Sequence, residues 1–200
     1  MNIEYIEQEE QEWSYTKPLY YHNITKDDML NGKGLRVVLW VAGCEHQCEG
    51  CQNPLTWNPN SGLPFTPWEE AELWEWIQKP HIKGLTLSGG DPLHPNNRER
   101  VGEIANQLKK NYPSKDLWVY TGYSLVFEDH EWRFQNRKHE SFSLSWLPLI
   151  DVLVDGPFNQ VQRKEDLQCS KQVLWRGDSG QRVIAVPKSI QTQEIVLESL

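Results

Sequence analysis

Cysteine is scarce in this sequence, basic charge is outweighed and long apolar runs are missing, and each shortage removes a class of protein. Four cysteines in 200 residues, three of them crowded at positions 44, 48 and 51, cannot staple distant parts of a fold. In a reducing cytosol a cluster of this kind binds metal or does redox chemistry. The 20 Lys and Arg are outnumbered by 28 Asp and Glu, for a formal charge of −8, which argues against a phosphate-tracking surface and against nucleic acid as the main partner. No stretch approaches the roughly 20 apolar residues of a membrane span. The first residues, MNIEYIEQEEQEW, are acidic where a secretory signal is basic and then apolar. The expectation is a soluble, cytoplasmic chain with no membrane partner, long enough for one domain with its own core.

What is present alternates between strand and helix. The run LRVVLWVAG from Leu35 is β-branched and apolar and ends at Gly43, just before the first cysteine, so the thiols are expected on a loop at a strand's C-terminal end. Thr66, Pro67 and Glu69 form a capping box that predicts a helix over 67–78. A strand over 83–87 runs into Gly89 and Gly90, and Val101, Ile104, Ala105 and Leu108 mark one face of an amphipathic helix. DLWVYTGY, residues 149–154 and residues 181–186 give three more strands. Strands alternating with helices imply a mainly parallel sheet with right-handed crossovers. Cys44–Cys51, Gly89–Asp91, Thr121–Tyr123 and Asp155–Pro157 each follow a strand, so they are expected to meet at one sheet edge, where α/β folds keep their sites. The stretch 127–146 breaks the rhythm and is expected to be a helix or an excursion on the rim. There is no internal repeat.

Three neighbouring thiols leave two chemistries open. A structural zinc ion needs a fourth protein ligand, and the candidates are His46, cramped between two cysteines, and the distant Cys169. A four-iron cluster held by three thiolates keeps one iron open for a substrate.

The C-x3-C-x2-C spacing resembles the signature of the radical S-adenosylmethionine (SAM) superfamily, in which three cysteines hold a [4Fe–4S] cluster and the remaining iron chelates SAM. The blocks NGKGLRVVLWVAGCEHQCEGCQNPLTW, GLTLSGGDPLHPNN, DLWVYTGY, IDVLVDGPF and LWRGDSGQRVI are similar, in this order, to those of anaerobic ribonucleotide reductase activating proteins, over roughly residues 17–186. The resemblance implies an incomplete parallel (β/α) barrel of the radical SAM type, with residues 1–16 a polar N-terminal extension, 17–187 the radical SAM domain and 188–200 a C-terminal tail.

It further implies that Cys44, Cys48 and Cys51 hold the cluster, that Gly50, Cys51 and Gln52 face the adenine of SAM, and that Gly89, Gly90 and Asp91 correspond to the superfamily's GGE element at the SAM ammonium group. Asp91 stands where that element has Glu. Thr121 is expected beside the methionine or ribose, whereas Asp155, Arg176 and Arg182 are divided between SAM contacts and ordinary turns or ion pairs. Asn53 and Trp57 are placed near the cluster loop, and His46, His81 and His94 are read as structural or exposed. The implied activity is reductive cleavage of SAM and formation of a glycyl radical on the anaerobic ribonucleoside-triphosphate reductase. A flavodoxin-like electron donor is expected because no second cluster motif is visible. The rivals are another small radical SAM enzyme, either an activase for a different glycyl-radical enzyme or a deazapurine synthase, and a non-catalytic module stabilised by zinc.

Overall fold

The computed structural model describes residues 18–170 and 173–199; the expected extension at 1–16 lies outside them. In chain order the strands are β1 (Tyr20–Asp28), β2 (Arg36–Val41), β3 (Leu63–Pro64), β4 (Gly84–Gly89), β5 (Asp116–Tyr120), β6 (Ser124–Glu128), β7 (Glu131–Gln135), β8 (Ser141–Phe142), β9 (Val152–Asp155) and β10 (Arg182–Ala185). The helices are α1 (Pro67–Ile77), α2 (Arg98–Asn111), α3 (Gln160–Gln168) and α4 (Val186–Thr192).

Seven strands form one open sheet in the order β10-β9-β5-β4-β2-β1-β3. Its centre, β2-β4-β5-β9, is parallel as expected, and antiparallel strands flank it on both sides. The fold is therefore a mixed α/β fold built on a parallel-strand sheet. Period-two alternation sorts the central strands into two faces. Val37, Leu39, Val41, Leu85, Leu87, Leu117, Val119 and Leu153 enter the main core with the apolar stripe of α2. The opposite face carries Trp118, Val152, Val154 and Val183 in a smaller cluster. Arg36 is fully buried beside it, 2.6 Å from Asp116, and donates to Thr86 Oγ1 and the Leu85 carbonyl. An unpaired guanidinium at that depth would cost several kcal/mol, so these partners are what make the position tenable.

The structure adds to the sequence reading at three places. The strand over 181–186 forms but runs antiparallel to β9. The reason is tertiary: the Asn159 amide donates to Asp178 and the Gln181 side chain to the Gly156 carbonyl, so the chain stays at one end of the sheet and β10 starts where β9 stops. The rim segment is an excursion and not a helix, and it is ordered: β6, β7 and β8 make an antiparallel meander. Asp129 and His130, at φ 51° and 64°, form the two-residue turn that matches strand twist. Phe134 and Leu125 of this meander belong to the main core, so it cannot be removed without opening that core. Lastly, the polar run Tyr20–Asp28 is a strand, paired with β2 along most of its length. The chain beyond Pro187 is tied down as well: the Glu198 amide donates to Val183 and the Ala185 amide to Val196.

Candidate functional site

The carboxyl ends of β2, β4, β5 and β9 point to one edge of the sheet, and hydrogen bonds join the loops that leave them. The Gly90 amide donates to Val41 and the Asp91 amide to Gly43, both at 2.7 Å, while the Cys44 amide donates to Trp57. A Cβ at Gly90 would stand 2.5 Å from the Gly43 carbonyl oxygen, closer than any side chain tolerates. The second glycine of the Gly-Gly pair is thus required for the end of β4 to pack against the root of the cysteine loop. Asn97, buried at the start of α2, ties the same junction by donating to the Ala42 and Asp91 carbonyls.

Asp91 is the centre of this edge. Its side chain, about 1 % exposed, accepts from the Leu93 amide (2.8 Å), the Gly122 amide (2.9 Å), the Thr121 hydroxyl (2.9 and 3.0 Å) and His46 Nε2 (2.9 Å). Both oxygens are turned into the protein, so the carboxylate acts on its surroundings through Thr121 and His46. His46 lies inside the cysteine loop with its ring 4.5 Å from that of Tyr123, and the Tyr123 hydroxyl donates to Glu45. Gly122 makes room for this contact, because a Cβ there would fall 2.4 Å from His46 Cδ2. The loop Glu45–Gln47 is thereby fastened from behind to the ends of β4 and β5.

Its front carries the thiols. Cys44 and Cys51 are half-buried, Cys48 is buried and Cys169 is exposed at the end of α3, and all four are free. Each of the three clustered sulfurs accepts from nitrogen donors. Cys44 Sγ faces the amides of His46 and Gln47, Cys48 Sγ faces Arg137 at 3.6 Å, and Cys51 Sγ faces the Asn53 amide at 3.4 Å. Burial, reinforced by Asp91, pushes the Cys44 thiol up to about 12, so the free thiol is a poor nucleophile, and a metal held there would have to displace its proton. Among the described residues no three His, Cys, Asp or Glu side chains converge at the spacing of a single metal ion. His46 also has its Nε2 engaged by Asp91. Three thiols on one short loop, each with N–H donors, fit a multi-iron cluster gripped at separate corners.

The remaining sequence candidates separate by geometry. Gly50 and Gln52 are exposed beside the thiols, Gly89 ends β4, and Thr121 is buried against Asp91. Asp155 is buried and pairs with the partly exposed Arg182, with Arg182 Nε donating to Asp155 Oδ1 at 2.9 Å and the Leu125 amide donating to Asp155 Oδ2; both are committed to the fold. Arg176 donates to the Gln181 carbonyl at the mouth of the edge. His81 makes an exposed pair with Asp27. The residues that the sequence did not single out are Asn97, Glu45 and Arg137; Tyr123 was expected at this edge, but not its bond to Glu45. A buried Asn just ahead of a helix was the only signal for the first, and the others are joined only by tertiary contact.

Residues 30–184 match the family described as "4Fe-4S single cluster domain". The chain is 41% identical over 163 residues to the anaerobic ribonucleoside-triphosphate reductase-activating protein of Enterobacteria phage T4, covering 82% of this chain and 92% of that one. It is 40% identical over 156 residues to the protein of the same name from Pasteurella multocida, across 77% and 89% of the two chains. Against the one from Escherichia coli K12 it is 39% identical over 165 residues, across 82% and 96%. A crystal structure of QueE from Escherichia coli is a looser likeness, at 13% identity and a TM-score of 0.36 over 77% of this chain and 76% of that one, too loose to bear on the fold. By identity sustained over most of both lengths, this chain belongs to the family of anaerobic ribonucleoside-triphosphate reductase-activating proteins.

Proposed function

We propose that this protein is a radical SAM activase whose protein substrate is the anaerobic ribonucleoside-triphosphate reductase. Cys44, Cys48 and Cys51 would hold a cluster whose chemistry is the one-electron cleavage of SAM to methionine and a 5′-deoxyadenosyl radical, which would take a hydrogen atom from a glycine α-carbon of the reductase to leave 5′-deoxyadenosine and the glycyl radical. The observation that carries the reading is the thiol loop itself: Cys44, Cys48 and Cys51, each with N–H donors, fastened to a parallel-sheet edge by residues that are not themselves ligands.

In this reading those three cysteines hold the [4Fe–4S] cluster, and SAM lies along the edge from Gly50 and Gln52 past Gly89 and Gly90 towards Thr121. Asp91 serves that site by holding Thr121 and His46 in place, since its own oxygens are spent. The open sheet is read as the incomplete (β/α) barrel of the superfamily, with 17–187 as the radical SAM unit and 188–200 as a C-terminal tail, of which Val196 and Glu198 are hydrogen-bonded to β10. An open side suits a substrate that is a loop of another protein. The reducing electron is assigned to an external flavodoxin-like donor, and the compartment to the cytoplasm. No helix among the described residues is long and apolar enough to cross a membrane.

The test is electron paramagnetic resonance (EPR) of anaerobically reconstituted, dithionite-reduced protein, with and without SAM, alongside iron and zinc counts. A reduced-cluster signal that changes on adding SAM, followed by a glycyl radical on added reductase, is the expected result. Zinc in place of iron, or a signal indifferent to SAM, overturns the reading.

A further inference from the structure

The turn between β7 and β8 reaches back across the molecule to the thiol loop. Its shape is set by its own side chain: Asn136 Oδ1 accepts from the amides of Lys138 and Glu140, and the Asn136 amide donates to the Glu140 carbonyl. This holds Arg137 with its Nη2 3.6 Å from Cys48 Sγ and 3.4 Å from the Phe158 carbonyl. Among the described residues Arg137 forms no ion pair with a carboxylate. Its charge is therefore directed at sulfur. Cys48 is the most buried of the three thiols, about 8 % exposed, so little water intervenes on its protein side. A cavity of about 410 Å³ between Glu49, Arg137, Phe158 and Gln160 keeps the guanidinium at the protein–solvent boundary, within reach of anything that docks there.

We infer that Arg137 tunes the reduction potential of the cluster by placing a guanidinium on the Cys48 sulfur. The inference rests on Cys48 being a cluster ligand, as proposed above. Reduction adds one electron to the oxidised cluster, here from dithionite, and makes the sulfur side more negative. A cation and an N–H···S bond at that sulfur stabilise the reduced form more than the oxidised one and so raise the potential. Arg137 is a positioning and tuning residue in this account and touches neither SAM nor the substrate glycine.

The experiment uses the full chain, reconstituted anaerobically as wild type, Arg137→Gln and Arg137→Lys, with iron counted first and the midpoint then read by dithionite titration under EPR. Arg137→Gln is expected to lower the ratio of reduced to oxidised cluster about tenfold at a fixed donor potential, equivalent to a midpoint about 59 mV more negative for one electron. Arg137→Lys, which keeps the charge and loses the planar fork, is expected to recover most of that shift. An unchanged midpoint in Arg137→Gln with four irons bound overturns the role of Arg137 alone, as does a Lys variant that shifts as far as Gln. A wild-type protein that binds no iron overturns the cluster reading and this one with it.

Discussion

Replacing Asp91 by Asn is the sharpest test of how the site is held, because the two side chains have the same shape and differ in what they can accept. Asp91 receives donors from the Leu93 amide on one oxygen, from the Gly122 amide and His46 on the other, and from the Thr121 hydroxyl on both. Asn keeps one accepting oxygen and turns an NH2 group toward the other donors. The Thr121 hydroxyl can rotate to accept instead; a backbone N–H cannot. At least one buried amide is then left unpaired, at a cost of about 1–3 kcal/mol. Taking about 2 kcal/mol, a chain of this size loses about 4–8 °C in melting temperature. The assay is thermal unfolding of the metal-free protein, which isolates the hydrogen bonds from any effect of iron, followed by iron per chain after reconstitution. Both are expected to fall, because His46 loses its anchor and the thiol loop loosens. A metal-free melt unchanged from wild type would refute the reasoning and leave the carboxylate free for a direct role at SAM.

The other predictions test separate links. Gly122→Ala should cost about 1–3 kcal/mol by overpacking, since its methyl would meet the His46 ring, and a melt and iron count like wild type would show that the loop has more room than the contact implies. Replacing any one of Cys44, Cys48 and Cys51 by Ala should abolish iron-dependent EPR, whereas Cys169→Ala, at an exposed helix end, should leave iron content and spectrum intact. Asp155→Ala leaves the buried Leu125 amide without its acceptor, while the partly exposed Arg182 can turn to water, so denaturant unfolding should show a loss of about 1–3 kcal/mol. Burial raises the Tyr120 hydroxyl above its ordinary value of 10.0, with its proton donated to the Trp175 carbonyl. The unfolded chain then ionises first, so this stability is complete below about pH 10 and declines above it. A phenolate titration of Tyr120→Phe against wild type, with denaturant melts on either side of that pH, checks the sign.

How far the sequence was legible depends on whether the deciding interaction was local. The capping box at Thr66–Glu69 and the stripe of α2 are near-neighbour patterns, and both helices lie where those patterns put them. The four parallel strands were visible as apolar runs for the same reason. The hairpin turn at Asp129–His130 was not, because both residues take positive φ without the Asn-Gly or Asp-Gly signature that announces such turns. β1 escaped because its sequence is polar on a strand that is only partly covered. The direction of β10 was set by Asp178 and Gln181, contacts that no periodicity records. At the site, the motif gave the thiols and the glycines but not the fastening, since His46, Asp91, Tyr123 and Glu45 come together from three loops.

That fastening has a bearing on the life of the protein in air. Where metal ligation is itself the folding energy, as in small zinc domains, losing the metal unfolds the chain. Here the thiol loop is held in addition by an aspartate, a histidine and a tyrosine whose contacts run between protein groups alone. Were oxygen to destroy a cluster held there, these contacts are expected to keep the loop in shape, so that iron and sulfide could refill the same chain in place of a newly made one.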